Sequence, residues 1–256
     1  MFKITFLGTG TSQGIPIIGS KHPVCHSQNP KDKRLRVSIS IAWGDYNFVI
    51  DCGPDFRQQL LRNPIEKLDG ILFTHEHSDH TAGLDDIRPF FFRQGNINFF
   101  ATHKVFLALD QRFSYIMNDK DKYPGAPSVE RIVIDKNTPF KLYGQWIIPI
   151  EVMHHKLEVM GYRFGDFAYL TDVKTIADEE LDKLKSLDVL VLSSLRVELH
   201  PSHLNLEEAL ALVELLQPKK AYFTHISHLL GFHDEVERNL PDHIHLAYDT
   251  LEITST

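Results

Sequence analysis

The run His75-Glu76-His77-Ser78-Asp79-His80 places four candidate metal ligands within six positions. In an extended loop, residues two apart point the same way. His75 and His77 can therefore face one cation while Asp79 and His80 turn toward a second. A single histidine in such a place is ordinarily a solvated turn residue. Three histidines and an aspartate at the end of a short apolar strand, Gly70 to Thr74, resist that reading, because packing them without a metal leaves costly polar groups. Histidine, with 15 copies, is the one compositional outlier of the chain. The chemistry implied is hydrolysis by water activated between divalent cations.

Around that cluster, residues Lys3 to Leu7 read as a strand running into the Gly8-Thr9-Gly10 turn, and a long polar loop follows from Thr11 to Arg36. Loops of that length usually carry function. Val37 to Trp43 and Asn47 to Asp51 read as a hairpin around Gly44-Asp45-Tyr46, and Asp55 to Arg62 as a helix. Further on, helices are expected at His103 to Ser114, Asp178 to Ser186 and Leu206 to Leu216. Strands are expected at Trp146 to Val152, Tyr162 to Phe164, Phe167 to Leu170, Val189 to Leu192 and Ala221 to Phe223. Strand-rich segments followed by helices in both halves predict an α/β (α+β) protein with two sheets packed together and helices outside. With no internal repeat, low-complexity tract or linker, residues 1–256 read as one domain.

The chain has 256 residues, 43% hydrophobic and 24% charged, enough to bury a core without a partner. A net charge of -7 argues against a general nucleic-acid binder, which needs a basic face. The start, MFKITFLGTGTSQG, lacks a basic segment followed by a long apolar one, and no apolar run approaches the roughly 20 residues of a membrane span. The two cysteines, Cys25 and Cys52, are then expected as free thiols of a cytoplasmic protein.

THEHSDH matches the HxHxDH signature of the metallo-β-lactamase superfamily position by position. The chain further resembles its cyclic-phosphate phosphodiesterase (PhnP-like) branch, related to ribonuclease Z, through GTGTSQGIP, CHSQNPKDKRLRVS, IDCGPDFRQ, GLDDIRPF, GYRF, THISH and AYDTLEI. The resemblance implies a four-layer αββα sandwich with a dinuclear site where the sheets meet. It implies His154 as third ligand of the first metal, with His155 as rival, Asp172 as the bridging carboxylate, and His225 completing the second shell. His75, His77 and His154 would then hold one ion and Asp79, His80 and His225 the other. That nitrogen-and-oxygen set suits Zn²⁺, Mn²⁺ or Fe, and ligand type alone does not choose among them. Asp79 would also be catalytic. His203, in Leu199-His200-Pro201-Ser202-His203-Leu204, matches the histidine that protonates a leaving oxygen in this branch, a role imidazole suits near neutral pH. The plain alternative is that Ser202 or Asn205 caps a helix and His203 only covers its end.

The resemblance has one departure. Members of the branch often hold a structural zinc with a CxCxxC run and the histidine three after the last ligand. Here the run reads Ser20-Lys21-His22-Pro23-Val24-Cys25, with His228 present and Ser20 a poor ligand. Loss or weak occupancy of that site is expected, the alternative being survival on three protein ligands and a water, or with His26 substituting. Gly8, Gly10 and Gly14 are expected in tight turns. Arg57 and Arg88 could reach a phosphate, though arginines near helices are more often salt-bridged. The stretch from Phe90 to Arg131 is expected to shape a pocket or an oligomer contact, and a homodimer stays open.

The expected reaction is attack on a small cyclic or nucleotide-like phosphodiester by a hydroxide bridging the two cations, with His203 as acid. A thioester, lactone or lactam hydrolase uses the same metals without His203. A tRNA-processing nuclease is a variant that needs a basic or arm-like exosite, against which the acidic balance and the lack of a Gly-Pro-rich inserted arm count, and a binding module would not keep the whole ligand set.

Overall fold

The computed structural model describes residues 1–118 and 122–256. Consecutive apolar residues in its strands face opposite ways and both faces are covered, which is why the strands read as unbroken apolar runs. Phe48 and Ile50 point into one hydrophobic cluster and Val49 into a second. Val189 and Val191 join the first, while Leu190 and Leu192 enter a third. Three apolar interfaces thus separate four layers, with helices outside and two sheets face to face.

The first sheet contains β1 (Phe2–Gly8), β2 (Ser38–Trp43), β3 (Tyr46–Ile50), β4 (Gly70–Leu72), β5 (Ile97–Ala101) and β6 (Val129–Val133). Neighbours are antiparallel from β1 to β3 and parallel from β3 to β6. The strand Glu252–Ser255 pairs antiparallel with β1. On the outer face lie α1 (Phe56–Arg62), α2 (Ser78–Thr81), α3 (Arg88–Gln94), α4 (His103–Arg112) and α5 (Ser114–Met117). Phe56, Phe90, Val105, Leu109 and Ile116 fill the space beneath them.

The second sheet contains β7 (Phe140–Leu142), β8 (Gln145–His154), β9 (Leu157–Phe164), β10 (Phe167–Leu170), β11 (Thr175–Ile176), β12 (Val189–Ser193), β13 (Lys220–Thr224) and β14 (Ile244–Leu246), in the order β11-β8-β9-β10-β12-β13-β14 with β7 on β8. β8, β9 and β10 are antiparallel, and β10, β12, β13 and β14 are parallel. Outside it pack α6 (Asp178–Leu181), α7 (Leu206–Leu216) and α8 (His233–Glu237), contributing Leu181, Val213 and Val236. The sheets are stitched at one edge, where Tyr162 donates to the Phe73 carbonyl at 2.6 Å and the Met160 amide to the Thr74 carbonyl at 2.9 Å.

This is the αββα sandwich expected. The expected helix at 103–114 breaks at Phe113 into α4 and α5, and that at 178–186 shortens to α6 and a 3-10 turn ending at Leu184. The strand expected at 162–164 extends back to Leu157, pairing along β8. β5, β6, β7, β11, β14 and the C-terminal strand went unanticipated. They are short, and β6 carries exposed Glu130 and Arg131 that break its apolar pattern. The loop from Thr11 to Arg36 holds two 3-10 turns and is pinned by Arg34, whose buried guanidinium donates to Thr9 Oγ1 and the Ala247 carbonyl. In the stretch from Phe90 to Arg131, Phe90 is core and Phe92 is exposed, and residues 119–121 lie outside the described residues. Among the described residues no helix is long and apolar enough to cross a membrane.

Candidate metal centre

Strand ends supply the site, as open α/β sheets generally do at their carboxyl edges. β4 runs through Phe73 and Thr74 into His75, after which His77, extended at φ -60° and ψ 153°, leads into the single turn of α2. That turn, rather than a fully extended loop, carries Asp79 and His80. β8 ends on His154, β10 is followed by Asp172, and β13 by His225. Asp172 and His225 both take left-handed backbone, at φ 56°, as does Asp51 after β3, at φ 64°. Such conformations in non-glycine residues concentrate at functional sites.

Hydrogen bonds fix how the imidazoles point. A carboxylate or carbonyl can only accept, so the Nδ1 atoms beside them carry the protons. His80 Nδ1 donates to Asp51 Oδ2 at 2.6 Å, and His154 Nδ1 to the Ser202 carbonyl at 2.7 Å. Thr74 Oγ1 donates to Asp51 Oδ2 at 2.7 Å and lies 3.0 Å from His75 Nδ1, which then donates to it. The Nε2 lone pairs of these histidines are left for the cradle. Such backing groups orient ligands and raise their basicity.

In front of them, the Asp172 oxygens face different neighbours. Oδ2 lies 3.2 Å from His80 Nε2, while Oδ1 lies 3.3 Å from His225 Nε2 and 3.8 Å from His203 Nδ1. Asp79 Oδ2 is 3.3 Å from His80 Nε2 and 3.9 Å from His225 Nε2. Three groups bring their ligand atoms within 4.8 Å of one another: His75, His80 and Asp172; Asp79, His80 and His225; His154, Asp172 and His203. His77 stands outside these groups, exposed at the mouth, its ring 4.6 Å from that of His75 and 5.4 Å from that of His154. His155 is exposed in the β8–β9 turn at φ 57° and joins none of them.

His203 closes the cradle, only 9% exposed, with its ring 4.3 Å from His154 and 4.9 Å from His225. Asn205 behind it makes a full capping box with Glu208 at the start of α7, so helix capping and the placement of His203 coexist. His200, half-buried, lies 5.0 Å from His203 ring to ring.

Charge at the site is mutual. Burial favours neutral His80, yet Asp172, Asp51 and Asp79 raise it well above the ordinary histidine range. Burial likewise opposes ionised Asp172, but His225 and His80 hold it well below the carboxylate range. His75 is pushed well down, chiefly by burial and then by His80. Burial, followed by the charge of His225, lowers His203 to about 3. Buried His75 Nε2, His80 Nε2, His203 Nδ1 and both His225 nitrogens have no hydrogen-bond partner. Orphaned lone pairs converging on two carboxylates are what a pair of divalent cations satisfies, so the residues fit such ions.

Asp51 and Thr74 are the site residues the sequence reading did not assign a role. The signal available was an aspartate ending the apolar run Asn47-Phe48-Val49-Ile50. Of the expected glycines, Gly14 has positive φ, at 63°, whereas Gly8 serves close approach, since a Cβ there would meet the Arg36 carbonyl at 2.1 Å. Gly53 acts similarly beneath Asp79, whose carbonyl a Cβ would meet at 2.0 Å. Arg88 is tied to Asp85 at 2.8 Å. In the first long loop, His22 and His228 meet edge to face at 4.8 Å beside buried Cys25, while Ser20 Oγ accepts from the His22 amide. Among the described residues these do not form a ligand group.

The family described as the beta-lactamase superfamily domain matches residues 46–226. A crystal structure of a new diphosphatase from the PhnP family is 39% identical, covers 100% of this chain and 98% of its own, and superposes with a TM-score of 0.93. An octanoyltransferase of Porphyromonas gingivalis is 38% identical over 98% of this chain. The chain spans only 51% of that protein's length. Zinc-bound PqqB from Methylobacterium extorquens, 17% identical, covers 99% of this chain and 100% of its own with a TM-score of 0.81, a likeness of fold.

Proposed function

Because the chain belongs to the beta-lactamase superfamily and, within it, to the PhnP family, and is a metal-dependent hydrolase, we propose that it cleaves a phosphodiester or diphosphate linkage in a small molecule. The observation that carries the reading is His203 at the lip of a cradle with two carboxylates. In this reading His75, His77 and His154 would hold one cation and Asp79, His80 and His225 the other, with the Asp172 carboxylate available to both. Two such cations, Zn²⁺ or Mn²⁺, supply charge stabilisation on phosphoryl oxygens and lower the pKa of water. The rest falls to side chains. Asp51 and Thr74 hold His80 and His75 in the tautomer that faces the cradle. Water attacks phosphorus and releases a proton to solvent, the bond to the leaving oxygen breaks, and that oxygen takes a proton from His203, which His203 has first drawn from solvent. The buried imidazole is neutral until an anionic phosphoryl group beside it favours the protonated form.

A second reading is hydrolysis of an acyl thioester, the class of acyl chemistry nearest to the name of the octanoyltransferase whose length this chain half spans. Thioester cleavage expels a thiolate, a good leaving group that needs no acid. Zn²⁺- and Mn²⁺-loaded protein should be screened against cyclic phosphates, linear phosphodiesters, diphosphates, thioesters and a lactam. Turnover confined to the last two overturns the phosphoryl reading. His203→Ala should lower kcat on bis(p-nitrophenyl) phosphate by about 10²-fold or more at unchanged metal content, the usual scale of a lost general acid. Undiminished activity removes His203 from the mechanism.

A further inference from the structure

The loop from β12 to α7 contains the run His200-Pro201-Ser202-His203. Proline fixes its own φ and keeps the residue before it extended, which restricts the path from His200 to Ser202. His200 Nδ1 lies 3.3 Å from the Ser202 amide nitrogen and 3.2 Å from Ser202 Oγ. An amide can only donate, so Nδ1 is the acceptor and the proton of the ring sits on Nε2. The arrangement is that of an Asx turn with an imidazole in place of the carboxyl or amide group. Burial, followed by the charge of Arg196, lowers the tendency of His200 to take up a second proton.

The Ser202 carbonyl, in turn, accepts from His154 Nδ1 at 2.7 Å. That carbonyl and the His203 amide belong to one planar peptide, so a rotation that draws the carbonyl from His154 also moves the backbone of His203. Beyond His203, Leu204 is fixed separately. Its amide donates to the Val173 carbonyl at 2.7 Å, and its carbonyl accepts from the Leu195 amide at 3.0 Å. His203 therefore hangs between two anchors. The one after it is built from backbone alone, whereas the one before it depends on side chains, His154 on the carbonyl and His200 on the amide and hydroxyl. Among the described residues the Ser202 amide has no other acceptor. The ring of His203 stands between the other two, 5.0 Å from that of His200 and 4.3 Å from that of His154.

We propose that His200 is a positioning residue: by accepting from Ser202 it holds in place both the carbonyl that orients His154 and the imidazole of His203. The proposal rests on the phosphoryl-hydrolase reading, in which His203 is the acid, and deepens it. His200 acts through its neighbours and transfers no proton.

The two ring nitrogens can be mimicked separately, since asparagine places Oδ1 where Nδ1 sits and glutamine places its terminal amide nearer Nε2. The test compares Zn²⁺-saturated wild type with His200→Ala, His200→Asn, His200→Gln, His203→Ala and the His200→Ala/His203→Ala double variant. Turnover of bis(p-nitrophenyl) phosphate and competition for Zn²⁺ with a chromogenic chelator are both measured. His200→Ala should lower kcat about tenfold, part of the effect of losing the acid, with KM within about twofold. The same change should weaken metal binding about tenfold, the low end for a disturbed backing group. His200→Asn should recover most of both losses, and His200→Gln should not. The double variant should be no slower than His203→Ala alone, because a residue acting through another adds nothing once that other is gone. Losses that multiply would give His200 a role of its own and overturn the proposal. So would recovery by glutamine rather than asparagine, or unaltered metal affinity in His200→Ala. Should His200→Ala not fold, the asparagine and glutamine variants decide the matter between them. Should the wild type leave the phosphodiester intact, the phosphoryl-hydrolase reading fails, while the chelator competition still decides whether His200 holds the carbonyl behind His154.

Discussion

Asp51 lies behind the cradle, and three donors converge on its carboxylate: the Thr74 amide at 2.8 Å, the Thr74 hydroxyl at 2.7 Å and His80 Nδ1 at 2.6 Å. Asparagine would turn an NH₂ group toward at least one of them. Asp51→Asn should therefore weaken metal binding about 10- to 100-fold, the usual effect of removing a ligand's backing group. Competition with a chromogenic chelator measures this, and unaltered affinity would refute the role. A second residue prediction concerns His233, wedged against Arg34 Nη2 at 3.0 Å and lowered to about 4, first by burial and then by Arg34. Between pH 6.5 and about 4 the unfolded chain takes up a proton that the folded chain refuses. Stability is thus full above pH 6.5 and falls toward pH 4, by at most about 1.4 kcal/mol per pH unit. Urea midpoints should show the advantage of wild type over His233→Gln shrinking across that window, and a constant difference would contradict the assignment. At this scale the sequence was legible where ligands cluster. His75 to His80 declare themselves by spacing, while Asp51 is separated from His80 by 29 positions and meets it only because β3 and β4 are parallel neighbours.

Elements translate those residues into geometry, and two small features bear disproportionate weight. The capping box of Asn205 and Glu208 fixes where α7 starts, and His203 precedes it by two residues. Asn205→Ala should cost about 1 kcal/mol of stability, the usual price of a lost N-cap. Thermal unfolding checks this, and kcat should fall more than KM changes if the cap also places His203. Gly53 lets the chain after β3 pass beneath α2, where a Cβ would sit 2.0 Å from the Asp79 carbonyl. Gly53→Ala should displace Asp79 and lower metal occupancy, read by elemental analysis of folded protein. Long strands with two apolar faces, such as β12, were legible because burial on both sides leaves an unbroken apolar run. β11, two residues long, and β6, with charged residues facing solvent, carry no such pattern, and pairing with neighbours defines them. Asn205 was recognisable as a cap from sequence. The breaks at Phe113 and after Leu181 were not.

The molecule as a whole is two sheets face to face, tied beside the cradle where Tyr162 reaches the Phe73 carbonyl and Met160 the Thr74 carbonyl, and again where Thr9 and Thr11 bond Ile226. The cradle straddles both sheets. His75, His77, Asp79 and His80 descend from the first sheet, and His154, Asp172, His203 and His225 from the second. An ion seated between them is a rivet through both leaves of the sandwich. Withdrawing it with a chelator should then be felt as mechanical loosening, with amide exchange quickening first at Met160 and Thr74 and the centres of β2 and β12 holding. Uniform quickening over both sheets would mean that the leaves are held by their apolar faces alone.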